Sequence, residues 1–366
     1  MTICDLAPSN IRSIAPYQPG KPISELAREF GLEEARIIKL ASNENPLGVS
    51  PKAQAAIRAV LEGLALYPDG NGFELKSALS RHLGVAMDQL VLGNGSNDVL
   101  ELAARAFLAP SNSAVYAQHA FAVYPLAVQG IGATGIEVPA KNFGHDLDAM
   151  LRAIRSDTRI VFLANPNNPT GTFVPAPEME RFIAAVPAHV LIVLDEAYNE
   201  YLRPDLRADS VTWLKKYPNL LLTRTFSKVY GLAGLRVGYA VGSAGVADLM
   251  NRVRQPFNVN SISLAAAAAA LDDHAFVRQS YELNLAGMAQ MTGALQKLDL
   301  AFIPSFGNFV TFKVKDAKGV NLSLLKSGVI VRPIAGYGLP DWLRVSIGTE
   351  NENARFLASL KAAVSA

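Results

Sequence analysis

Four short apolar runs in the middle of the chain constrain its fold more than any other feature. They are Arg159 to Ala164 (RIVFLA), Val190 to Leu194 (VLIVL), Leu220 to Thr223 (LLLT) and Leu235 to Val241 (LRVGYAV). Each is rich in leucine and β-branched residues and reads as a strand buried on both faces. Amphipathic stretches alternate with them, among them Pro177 to Val186 (PEMERFIAAV), whose proline suits a first helical turn. This is the pattern of βα units around a parallel or mixed sheet, and it predicts an α/β fold. Upstream, Gln89 to Leu92 reads as another strand, followed by Gly93-Asn94-Gly95-Ser96-Asn97-Asp98 and a helical apolar pattern through Val99, Leu102, Ala103, Ala106 and Phe107.

With 366 residues, half of them hydrophobic, the chain is large enough for two packed lobes. The texture changes beyond Gln255, where the alanine run Ala265 to Ala270 is followed by a long amphipathic stretch from Phe276 to Leu298. The expected division is a large lobe over 45–255 and a smaller C-terminal lobe over 256–366, with residues 1–44 packing against the smaller one. A net charge of +2 without runs of like sign gives no reason to expect a nucleic-acid or membrane surface. Cys4, the sole cysteine, excludes an intramolecular disulfide and a cysteine-rich zinc site. The N-terminus lacks the basic and apolar blocks of a secretory signal, so the expected location is the cytoplasm. The five histidines, at 82, 119, 145, 189 and 274, have no metal-ligand spacing, and no metal is expected.

Ligands of open α/β sheets bind beyond the carboxyl ends of the strands. Three of the predicted strands end in polar groups: Asn165-Pro166-Asn167-Asn168-Pro169-Thr170-Gly171, Asp195-Glu196-Ala197-Tyr198, and Arg224-Thr225-Phe226-Ser227-Lys228. If these strands are parallel, the three tips converge on one crevice. Asp195, directly after five apolar residues, belongs at the edge of the core and needs a cationic partner there. Alone it reads as well as a helix cap or a structural ion-pair member. Lys228 alone would be an ordinary surface lysine, but Ser227 precedes it, glycines follow at 231, 234 and 238, and Arg236 stands in the next strand. That grouping suits a phosphate grip beside one reactive amine, which nearby cations make easier to deprotonate. The loop at 93 to 98 lacks the third glycine of a dinucleotide fingerprint. It still offers free backbone N–H groups at a helix start, or else a simple tight turn.

Taken together, NPNNPTG, LDEAY and TFSKVYGLAGLRVGY, in this order and spacing, resemble the fold-type I pyridoxal-phosphate aminotransferases. PYQPGKPISEL near 16, SNENPLG near 42, LYPDG near 66 and RPIAGYGLPDWLRVSIGT near 332 extend the likeness to almost the whole chain, and make it similar to the histidinol-phosphate aminotransferase family. The resemblance implies a large domain with a mostly parallel seven-stranded sheet flanked by helices, a smaller α+β domain, and pyridoxal 5'-phosphate as cofactor. It makes Lys228 the Schiff-base lysine and Asp195 the carboxylate that keeps the pyridine nitrogen protonated. Asn168 and Tyr198 would hydrogen-bond the ring's phenolic oxygen, and Phe121 would stack on the ring. Ser96, Asn97, Ser227 and Arg236 would hold the cofactor phosphate, with Tyr67 reaching across from the partner in a homodimer. Arg344 would grip the substrate's anionic group, with Tyr17, Arg332 and Asn168 beside it.

The implied reaction exchanges an amino group between histidinol phosphate and 2-oxoglutarate, releasing glutamate, as a step of histidine biosynthesis. Rival readings are an aromatic amino-acid aminotransferase, whose substrates also carry a flat ring and an amine, and a threonine-phosphate decarboxylase. A binding module that keeps the cofactor lobe without catalysis is a reading of another class. It has no support in a chain that retains the lysine, the aspartate and the arginine.

Overall fold

The computed structural model describes residues 2–17 and 20–365. Gln18 and Pro19, from the PYQPG segment, lie outside the described residues. The strands are β1 (Ile38–Lys39), β2 (Leu90–Gly93), β3 (Ser113–Ala117), β4 (Thr134–Val138), β5 (Thr158–Ala164), β6 (Leu191–Asp195), β7 (Leu220–Thr225), β8 (Gly238–Val241), β9 (Phe302–Ile303), β10 (Phe309–Lys313), β11 (Val329–Ile330), β12 (Arg332–Pro333) and β13 (Trp342–Ser346).

A seven-stranded sheet has the order β2-β8-β7-β6-β5-β3-β4. Strands β3 to β7 pair in parallel, and β8 runs antiparallel to both its neighbours. The apolar runs are covered on both sides, as their composition requires. Along β5, Val161 and Leu163 enter one core while Ile160, Phe162 and Ala164 enter the other, the period of two expected of a pleated strand. One boundary differs from the sequence reading. The strand expected from Leu235 starts at Gly238, because Ala233–Leu235 forms a 3₁₀ turn and Arg236 takes a left-handed φ of 55°, which an extended strand does not allow.

A second sheet, β12-β13-β10-β9, is antiparallel throughout. Its core includes Phe312, Leu343 and Val345, closed by Met291 and Leu295 of the helix His274–Lys297 and by Phe356 and Leu360 of the helix Glu350–Ser365. The alanine run lies in the helix Ser261–Leu271, where Ala266, Ala267 and Ala270 pack into the same core as the large sheet. We place the passage from one core to the other within His274–Lys297, whose Val277 packs against the first and whose Met291 is buried in the second. In the N-terminal segment, β1 pairs in parallel with β11, and Leu26 and Ala27 of the helix Ile23–Phe30 pack on Leu325 and Ile330. The short helix Ser9–Arg12 touches the large lobe instead, where Asn10 Nδ2 donates to the Gln129 carbonyl at 2.9 Å. Among the described residues no helix is long and apolar enough to cross a membrane.

Candidate active site

The three polar tips meet. Ala164 pairs with Asp195 and Asp195 with Thr223, so β5, β6 and β7 end side by side. A cavity of about 190 Å³ opens there. Its lining includes Lys228, Asp195, Tyr198, Asn168, Phe121, Ser96, Asn97, Ser227, Arg236, Tyr17, Arg332 and Arg344, all singled out from the sequence. Tyr67 is not among them. It is 83% exposed, stacked on Phe257 with ring centroids 4.8 Å apart. A larger cavity of about 640 Å³, between residues 141–148 and 302–306, contains none of these residues.

Asp195 is 4% exposed. Its Oδ2 accepts from the Tyr124 hydroxyl at 2.9 Å and its Oδ1 from the Ala197 N–H at 3.2 Å. Burial pushes its pKa up to about 6 in spite of these donors. Its neighbour Glu196 has an arginine, with Arg224 Nη2 at 2.9 Å from Oε2. Among the described residues Asp195 has no such ion pair, so the cation that its burial calls for is left to a ligand. A protonated pyridine nitrogen suits that carboxylate in charge and in hydrogen-bonding capacity.

Tyr124 was not legible as a site residue. It lies in the apolar helix Val123–Ile131, stacked on Phe162 at 5.0 Å, with Phe121 edge-on at 5.9 Å, and nothing in sequence separates it from a core aromatic. Replacing Tyr124 with phenylalanine removes a donor to the ionised carboxylate, which raises the pKa of Asp195 further. The acid limb of the pH–rate profile should then move up by about one unit, the size of one hydrogen bond to a charged group. Steady-state rates from pH 5 to 9 check this.

Lys228 Nζ donates to the Ser42 carbonyl at 3.1 Å and sits 5.6 Å from the Tyr198 ring centre. Burial, then the nearby Arg344 and Arg236 guanidiniums, hold its ammonium down to about 7, so a large share of the amine is neutral at physiological pH. That is the state a carbonyl-attacking amine needs. Burial likewise pushes the Tyr198 hydroxyl up to about 12, so it stays protonated.

Ser96 and Asn97 open the helix Ser96–Phe107, and Arg236 bends toward it. Gly95, at φ 84°, lies so close beneath that guanidinium that a Cβ there would collide with Arg236 Nη2. Arg236 Nη1 also donates to Ser227 Oγ at 3.4 Å. A helix start, two hydroxyls and a guanidinium thus form a cradle suited to a phosphate group.

Across the cavity, Arg344 is 6% exposed. Its Nη2 donates to the Ala41 carbonyl at 2.7 Å, its Nη1 to Asn168 Oδ1, and its buried Nε has no partner. Among the described residues no carboxylate pairs with it. Arg332 stands directly opposite on β12, in register with Arg344 on β13, and its Nη2 donates to the Tyr17 hydroxyl at 3.3 Å. Two adjacent guanidiniums repel unless an anion lies between them.

The chain matches the model of the family described as aminotransferase class I and II over residues 35–360. It belongs to that family. It is 63% identical over 365 residues to a histidinol-phosphate aminotransferase of Nitrosospira multiformis, covering 100% of this chain and 93% of the relative. It is 64% identical over 357 residues to one of Methylobacillus flagellatus, covering 98% and 97%. A solved histidinol-phosphate aminotransferase of Sinorhizobium meliloti, in complex with pyridoxal-5'-phosphate, superposes with a TM-score of 0.89 at 29% identity, over 98% of this chain and 97% of that one. The fold is that of the fold-type I aminotransferases, as the motifs implied.

Proposed function

We propose that this aminotransferase exchanges an amino group between L-histidinol phosphate and 2-oxoglutarate, with pyridoxal 5'-phosphate as its cofactor. The observation that carries the substrate is the pair Arg344 and Arg332. Two guanidiniums in register, with the Tyr17 hydroxyl beside them, suit the two charges and several acceptor oxygens of a phosphate monoester. The same pair accepts a carboxylate of 2-oxoglutarate in the return half of the cycle.

The bound cofactor supplies an aldehyde that condenses with amines and a ring that accepts the electron pair released at the substrate Cα. Ser96, Asn97, Ser227 and Arg236 hold its phosphate. Lys228 Nζ would hold it covalently at rest and, as a free amine, would be the base that moves the Cα proton. Asp195 would keep the proton on the ring nitrogen, Tyr198 and Asn168 would hydrogen-bond the phenolic oxygen, and Phe121 would cover the ring. Asn168 also fixes the fork of Arg344.

We further propose a homodimer in which Tyr67 reaches the partner's cofactor phosphate. Its 83% exposure beside Leu66, at 76%, leaves an apolar patch that a second copy would cover. A reducing compartment, the cytoplasm, suits the unpaired Cys4.

Steady-state comparison of histidinol phosphate with phenylalanine, each with 2-oxoglutarate as acceptor, tests the substrate assignment. The phosphate ester should have the higher kcat/KM, by a factor on the order of 10² for a doubly gripped dianion. A higher value for phenylalanine overturns it.

A further inference from the structure

The segment joining β1 to the large lobe touches the site at three successive residues. The Ala41 carbonyl accepts from Arg344 Nη2 at 2.7 Å, the Ser42 carbonyl from Lys228 Nζ at 3.1 Å, and the Asn43 side chain donates from Nδ2 to the Tyr198 hydroxyl oxygen at 2.9 Å. Asn43 is 1% exposed and holds a left-handed φ of 56°. Its other polar groups are engaged by the small lobe. Its N–H donates to Ser346 Oγ at 2.8 Å, its Oδ1 accepts from that hydroxyl at 3.0 Å, and its carbonyl accepts from Asn308 Nδ2 at 3.0 Å.

This network decides which end of the Asn43 amide faces Tyr198. Ser346 Oγ accepts the Asn43 N–H, so its one proton is free for Oδ1. With the amide turned over, Oδ1 would face Tyr198 and the Ser346 proton would be buried without an acceptor, at a cost of about 1–3 kcal/mol. Nδ2 therefore faces the tyrosine and donates. A phenol oxygen that accepts from Asn43 cannot also send its single proton there, and the proton is left for an acceptor in the cavity.

We propose that Asn43 is a positioning residue that fixes Tyr198 as a hydrogen-bond donor into the cavity, coupling that hydroxyl to the sheet that carries Arg344. The inference rests on the reading that Tyr198 donates to the cofactor's phenolic oxygen. Arg344, Asp195 and Tyr337 also act on the Tyr198 hydroxyl, and the Lys228 ammonium lies 5.6 Å from its ring centre, so the test must separate the hydroxyl from the general charge of the site.

The experiment is a double-mutant cycle on the holoenzyme, reading the pH midpoint of the cofactor's visible absorption change and the cofactor dissociation constant, with melting temperature as the control for folding. Asn43→Asp offers Tyr198 an acceptor in place of a donor and draws its proton out of the cavity. Loss of a donor leaves the phenolic oxygen more basic, so the midpoint should rise by about one unit, the size of one hydrogen bond to an anion. Asn43→Ala should raise it in the same sense by less, and it carries the test alone if the aspartate variant does not fold. In a Tyr198→Phe background both shifts should shrink to a small fraction. Equal shifts in the two backgrounds, or a lowered melting temperature with an unmoved midpoint, overturn the inference. If Tyr198→Phe alone leaves the midpoint in place, the reading of Tyr198 has failed, and the inference falls with it at that identifiable step.

Discussion

Replacing Lys228 with alanine should lower histidinol-phosphate turnover by about ten-thousandfold or more, because one substitution removes both the proposed covalent anchor and the proposed proton-transfer base. The phosphate cradle does not depend on that side chain. The variant should still take up the cofactor non-covalently, with weaker affinity, through Ser96, Asn97, Ser227 and Arg236. The lowered pKa of Lys228 adds a pH signature. With the amine titrating at about 7, capture of pyridoxal phosphate by the cofactor-free protein should quicken about tenfold per pH unit below 7 and level off above it. An ordinary lysine would give a rate still rising beyond pH 9. Stopped-flow absorbance across pH 5.5–9.5 distinguishes the two.

Replacing Asp195 with asparagine gives the second large effect, and activity and stability should part company. The variant keeps the shape of the side chain but loses the charge proposed to hold the ring-nitrogen proton, and kcat should fall by a factor on the order of 10³. The cofactor-free protein should gain stability at neutral pH. A carboxylate whose folded value is raised to about 6 contributes stability below its unfolded value near 3.8, and that contribution is lost as pH rises through 6. Wild-type protein without cofactor should therefore lose ground to Asp195→Asn between pH 4 and 6 and melt lower above it. Calorimetry of both cofactor-free proteins at pH 4, 6 and 8 checks the sign.

Much of this was written in the chain locally. The three parallel strands announced themselves because a strand buried on both faces has little room for polar residues until it ends, so the first polar groups after VFLA, LIVL and LLLT mark the sheet's carboxyl edge. The glycines at 95 and 238 were visible as turn residues, but the reason for Gly95 is the Arg236 guanidinium above it, a contact across more than a hundred residues. Tyr124 stayed hidden because its partner is the carboxylate of Asp195, 71 residues away, and its own neighbours are apolar. Asn43 was visible only as part of SNENPLG. Its work depends on Tyr198 and Ser346, which the fold alone brings together. The pairing of Arg332 with Arg344 is likewise a matter of antiparallel register: the resemblance named both arginines for the substrate, but only the fold sets them opposite one another.

The proposed reaction depends on the amine at the meeting of the three strand tips carrying the cofactor. Borohydride reduction of the holoenzyme, followed by digestion and mass spectrometry, locates that amine. The expected result is one reduced pyridoxyl phosphate per chain, on the peptide containing Lys228, and none on the Lys228→Ala variant. Label on another lysine, or a holoenzyme whose cofactor washes away after reduction, would contradict it.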